Sequence, residues 1–176
     1  KMNGQARLCG IFITHAHIGH YMGLIELGLE VMNANQIPVY VMAKMKAFLE
    51  ENAPFTHLIK LNNIILRQME EDVAIHLTDN LRIIPFQVPH RNEFSETVGF
   101  KVQSPTQSFL YIPDIDSWDK WDEDINNLIR SNDVLLLDGT FFNDEELADR
   151  NVQDVPHPFI YESLQKFSLL EEVERR

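Results

Sequence analysis

The sequence predicts a mixed α/β fold, with a β-sheet layer covered by helices on its outer face and active loops at strand ends. Three observations point there. Short apolar, β-branched runs recur along the chain. Amphipathic stretches lie between them without strict alternation. A dense histidine cluster directly follows the first apolar run.

The elements follow in order. Gly10-Ile11-Phe12-Ile13-Thr14 reads as a buried strand, and His15-Ala16-His17-Ile18-Gly19-His20 comes next, with Gly19 where a turn is needed. From Tyr21, Leu24, Leu27 and Val31 recur at i, i+3 and i+7, and Ile25, Leu29 and Met32 widen that face. This spacing predicts an amphipathic helix ended by Asn33 to Gln36. Pro38 to Met42 is a second strand and Lys44 to Glu51 a second helix, closed before Pro54. The middle is β-rich, with strands at Ile64 to Leu66, Val73 to Ile75, Leu81 to Val88, Thr97 to Val102 and Phe109 to Ile112. Asp116 or Ser117 caps a following helix with an apolar stripe of Trp118, Trp121, Ile125 and Leu128. Val134 to Leu137 reads as a fully buried strand. The last helix starts at Pro158, with Ile160, Leu164 and Phe167 as its inner face.

With 176 residues, 44% of them hydrophobic, the chain can bury one substantial core, so 1–176 is expected to be a single domain. The formal net charge of −12 offers no footprint for a nucleic-acid backbone, and large nucleic acid is disfavoured as a partner. Cys9 is the only cysteine, which excludes an intramolecular disulfide and a thiolate metal cluster. No apolar run is long enough to span a membrane, and Lys1 to Gln5 lacks a signal-peptide core. Together these fit a cytoplasmic protein.

Three of the 7 histidines lie within six residues. Strand residues two apart face the same side, so His15 and His17 can face one point, and a turn at Gly19 brings His20 back towards it. Imidazole suits zinc, iron and manganese, and three such ligands can anchor one ion. Two histidines alone would not outweigh a reading as surface residues; the cluster between an apolar strand and a helix does.

His15-Ala16-His17-Ile18-Gly19-His20 resembles the His-x-His-x-Asp-His signature of the metallo-β-lactamase fold, and later landmarks keep that family's order. His90, in Val88-Pro89-His90-Arg91, sits where the family has its next histidine, and Asp114 matches the metal-bridging aspartate. Asp138-Gly139-Thr140-Phe141 and His157 resemble a segment and a later histidine of the transfer-RNA 3′-processing endonucleases and of the pyrroloquinoline quinone biosynthesis protein B branch. The resemblance implies that His15, His17 and His90 hold one metal, that Asp114 bridges and that His20 serves a second. One or two divalent ions are expected, zinc first, then manganese or iron. Asp138 and His157 are the expected catalytic pair.

Several departures matter. Gly19 stands where the family has an aspartate on the second metal, so that metal is expected to bind weakly or not at all. Few residues precede His15, and no ligand strand follows the last helix. The expectation is therefore a truncated αββα sandwich, a partial domain that could pair with another copy. His157 is either a catalytic histidine oriented by Asp138 or a substitute for the missing ligand; its spacing from Asp138 favours the first. The plainer readings are a turn residue for Asp138 and a helix cap for His157. Arg91 could clamp a substrate carboxylate or phosphate, or pair with Glu93 or Glu96. Asp116 reads as a helix cap, Asp119 to Asp124 as a solvated face, Trp118 and Trp121 as core, and His57 and His76 as structural or surface residues.

The leading functional expectation is a metal-dependent hydrolase acting through a metal-activated water on a small anionic substrate, with phosphodiester bonds ahead of acyl bonds. The second is an iron-dependent oxidative enzyme of cofactor biosynthesis, and the third a non-catalytic metal-binding fragment.

Overall fold

The computed structural model describes residues 8–147, 150–151, 154–168 and 170. They fall into two compact units, one from Lys1–Glu70 with Asn92–Glu96, the other from Glu71–Arg91 with Thr97–Arg176. The expected mixed α/β class is what the chain adopts, with two sheets and accompanying helices.

The first unit holds a parallel sheet in the order β1 (Ile11–Phe12), β2 (Ile37–Val41), β3 (Ile64–Gln68). Ile11 pairs with Val39, and Val39 with Leu66. Parallel neighbours need crossovers. The first crossover carries α1 (Ile18–Tyr21) and a 3-10 turn over Met22–Leu27; the second carries α2 (Ala43–Glu51) and α3 (Phe55–Lys60). Val39, Val41, Met45, Leu49 and Ile64 form the centre of its core, with Leu24 and Leu27 packed in.

The long helix expected from Tyr21 does not form. A 3-10 turn repeats every three residues, so Leu24 and Leu27 both point inward while Ile25 is 37% exposed. Gly28 then leaves in an extended conformation (φ −66, ψ 172), and Leu29, Val31 and Met32 are exposed. α3 had no counterpart in the sequence reading, because one buried pair, Phe55 and Leu58, is too short to show a period.

The second unit holds a five-stranded sheet, β4 (Ile75–Thr78), β5 (Leu81–Gln87), β6 (Val98–Gln103), β7 (Ser108–Ile112) and β8 (Val134–Leu137) in that order. All neighbours are antiparallel except β7 and β8, which are parallel. β5 and β7 both oppose β6, so β5, β7 and β8 run the same way and their C-terminal ends share one edge of the sheet. The β7–β8 crossover carries a 3-10 turn (Trp118–Lys120) and α4 (Ile125–Arg130); α5 (Ile160–Phe167) follows later. Leu110, Ile112, Ile115, Ile125 and Trp118 centre the core, and Trp121 packs against it, stacked on Phe86 at 5.7 Å. Both tryptophans are thus core residues, as expected.

Three details differ from expectation. β4 begins at Ile75, leaving Val73 half exposed. β8 ends the sheet order and buries one face, so Leu136 is 55% exposed. α5 starts at Ile160, and its inner face includes Ser163, whose Oγ accepts the Trp118 indole N–H at 2.9 Å, while Leu164 points to solvent. No helix among the described residues is long and apolar enough to cross a membrane.

Candidate metal centre

In the first unit the chain leaves β1 and enters the histidine cluster while still tied to the sheet, with Ile13 N donating to Tyr40 O at 3.0 Å. His15 is fully buried. Its Nδ1 lies 3.1 Å from Thr14 Oγ1, and its Nε2 lies 2.9 Å from His17 Nδ1. His17 opens α1, with its Nε2 3.3 Å from Glu93 Oε2. The loop is pinned between them, since Ala16 N donates to Ser95 Oγ at 2.8 Å and that hydroxyl donates to Glu96 O at 2.9 Å. His20, in α1, is half-buried, with its ring 4.2 Å from that of His15.

In the second unit the candidate residues follow the aligned ends of β5, β7 and β8. His90 comes three residues after β5, and its side chain is wholly buried. Its Nε2 lies 3.5 Å from Asp114 Oδ2, two residues beyond β7, and its Nδ1 lies 2.9 Å from Asp116 Oδ1. Asp138 follows β8 directly. Its Oδ1 accepts Thr140 N at 3.0 Å and Thr140 Oγ1 at 2.7 Å. Its Oδ2 accepts Ile115 N at 3.0 Å and faces His157 Nδ1 at 2.6 Å. The His157 ring stands 5.3 Å from the His90 ring and 6.0 Å from that of Phe141. Burial pushes the His157 pKa down, but the hydrogen bond and charge of Asp138, with the charge of Asp114, outweigh burial and the opposing Arg91 and hold it above its usual value.

Arg91 Nη1 donates to Asp154 O at 3.1 Å, and its buried Nε has no partner among the described residues. Glu93 is engaged with His17, and the Glu96 carboxylate caps α2 by accepting Lys44 N at 3.0 Å. Asp116 does not cap a helix. Ser117 caps the 3-10 turn and Asp124 caps α4, leaving Asp116 for His90. His57 and His76 are exposed.

The donor chemistry suits a divalent metal. Two ligands bound tetrahedrally at the usual zinc distances lie roughly 3.3–3.4 Å apart. The His15–His17 pair in one unit and the His90–Asp114 pair in the other have atom separations of 2.9 and 3.5 Å, on either side of that value. Each pair offers donors of the kind that hold a divalent ion, and His20 lies outside both pairs. The sequence reading gave no contact to Thr14 or Thr140, named Glu93 only as a partner for Arg91, and read Asp116 as a helix cap. Their one visible signal is an oxygen-bearing side chain within two residues of a proposed ligand or catalytic residue, and Glu93 lacks even that.

Comparison with known proteins agrees with the fold. No curated protein sequence matches the chain. Among solved structures, zinc-bound PqqB from Methylobacterium extorquens matches with a TM-score of 0.68 at 19% identity, over 86% of this chain and 50% of that one. A diphosphatase from the PhnP family matches with a TM-score of 0.63 at 22% identity, over 92% and 56%. Yeast PDE1 matches with a TM-score of 0.64 at 13% identity, over 94% and 52%. The chain therefore spans about half the length of each. The family model described as "Beta-lactamase superfamily domain" matches residues 2–172, and the chain belongs to that family, with the metallo-β-lactamase fold.

Proposed function

We propose that this chain is the metal-binding part of a metal-dependent hydrolase acting on a small phosphodiester-type substrate. The observation that carries this reading is the Asp138–His157 pair, 2.6 Å apart and buried, with the His157 ring 5.3 Å from that of His90. The diphosphatase from the PhnP family and zinc-bound PqqB, both with this fold, support a phosphorus substrate and zinc respectively.

By the family's signature, His15, His17, His90 and Asp114 would hold the ion, and His20 would serve a second one. A bound divalent ion lowers the pKa of water and polarises a phosphoryl oxygen. The rest is done by the chain's own side chains. Asp138 accepts from His157 Nδ1, which leaves Nε2 as the proton-handling atom. Oriented by Asp138, His157 can donate a proton from Nε2 to the leaving oxygen. Arg91, anchored on Asp154 O, offers its buried Nε–H to a phosphate oxygen. The −12 charge favours a small anion held by these local donors over a long polyanion.

The test is elemental analysis of protein purified without chelator, followed by hydrolysis of bis(p-nitrophenyl) phosphate by wild type and His157→Ala. Stoichiometric zinc or manganese, with turnover reduced at least a hundredfold in the variant, is the expected result. Stoichiometric iron without diesterase activity would overturn it.

A further inference from the structure

We infer that Asp116 is a positioning residue for His90, holding its ring in the Nδ1–H tautomer so that Nε2 faces Asp114. This rests on the reading above that His90 is a metal ligand. The two residues are joined twice. Asp116 Oδ1 lies 2.9 Å from His90 Nδ1, and Asp116 N donates to Pro89 O at 2.7 Å. The loop after β7 therefore clasps both the backbone and the side chain of the loop after β5.

An ionised carboxylate can only accept, so the shared proton sits on Nδ1. The tautomer of a histidine is set by the hydrogen bond its other nitrogen makes, and with Nδ1 held by Asp116 it is Nε2 that faces Asp114 Oδ2, at 3.5 Å. The His90 side chain is 0% exposed, so water cannot replace a lost partner on Nδ1. The Asp116 side chain is 19% exposed, so the neighbourhood can hydrate the carboxylate without hydrating the ring. The arrangement also explains why Asp116 is not the helix cap its position suggests, because Ser117 Oγ takes that role by accepting Asp119 N at 3.2 Å. A partner of this kind orients a metal-binding histidine and raises its basicity, and its loss typically costs about 10–100-fold in metal affinity.

The test reads the His90 ring nitrogens by long-range 15N–1H correlation in metal-free protein, and zinc affinity by competition with a chromogenic chelator. Wild type should show the Nδ1–H tautomer. Asp116→Ala should lose it and bind zinc about 10–100-fold more weakly. Asp116→Asn, whose amide oxygen still accepts from Nδ1, should keep the tautomer and most of the affinity. An Nε2–H tautomer in wild type would overturn the proposal without any variant having to fold. So would an Asp116→Ala protein with unchanged tautomer and affinity. His90→Ala is the separate control: unchanged zinc affinity there would overturn the ligand reading, while the tautomer measurement would still judge Asp116.

Discussion

Asp138 and His157 lie 2.6 Å apart, and the same carboxylate oxygen also accepts the Ile115 amide at 3.0 Å. Ile115 directly follows Asp114. One buried carboxylate thus orients the histidine and fixes the backbone beside a proposed ligand. Replacing Asp138 with Ala should disturb both and cost about 3–5 kcal/mol, because it would strand a buried partner; urea unfolding measures this.

The charge state of His157 follows from the same contact. Its folded pKa lies above the usual histidine value. The resulting stability is fully present below about pH 6.5, the unfolded value, and is lost as pH rises through the raised folded value. In metal-free protein, an NMR titration should place the His157 midpoint above 6.5, and Asp138→Asn should lower it. A wild-type midpoint at or below the free-histidine value would contradict this account.

Gly99 sits in β6 opposite Phe86. A Cβ there would meet the Phe86 ring at 2.5 Å and the Tyr111 carbonyl oxygen at 2.8 Å. Neither the strand backbone nor a ring 6% exposed can yield freely. Gly99→Ala should therefore destabilise the protein by about 1–3 kcal/mol, read as a lower denaturation midpoint at unchanged slope.

At Gly19 the surroundings are the opposite, with nothing within 4 Å of an added Cβ. Gly19→Asp should fold with stability within about 0.5 kcal/mol of wild type, as substitutions in open positions do. It should also tighten a second zinc in calorimetric titration, because it adds a carboxylate to the His15–His20 loop. Unchanged stoichiometry would show that this loop does not serve a second ion.

Ser108 holds Asp133 through its hydroxyl and its amide, both at 2.8 Å, and these bonds pull the carboxyl below its usual value. That contribution exists above the unfolded carboxyl pKa and fades as pH falls through the lower folded one. Ser108→Ala removes the hydroxyl alone, and the Asp133 midpoint in an NMR titration should move upward towards that of a free aspartate.

Much of the site was legible because ligands cluster where strands end. His15 follows an apolar run, and Asp114 and Asp138 each follow another, so hydrophobic pattern and chemistry mark the same junctions. The segment after Tyr21 was misread for a geometric reason. Leu24, Leu27 and Val31 satisfy a 3.6-residue repeat, yet Leu24 and Leu27 alone also satisfy a 3.0-residue repeat, and Gly28 ends the element before Val31 can choose between them. The partners of the histidines were illegible for another reason. Which oxygen meets His17 or His90 depends on contacts 76 and 26 residues away in sequence, and no local period encodes them. Asp116 shows the cost of a local rule, since its position beside Ser117 suggests a cap and only the fold shows it turned towards His90.

The shared direction of β5, β7 and β8 has a practical consequence for engineering. The opposite edge of that sheet is made of hairpin turns, at Asp79-Asn80 and at Ser104 to Gln107, joined by short polar hydrogen bonds of their own. A fluorophore or affinity handle grafted into either turn would be separated from His90, Asp114 and Asp138 by the full length of the strands. Such handles could report on loading of the site without competing for it.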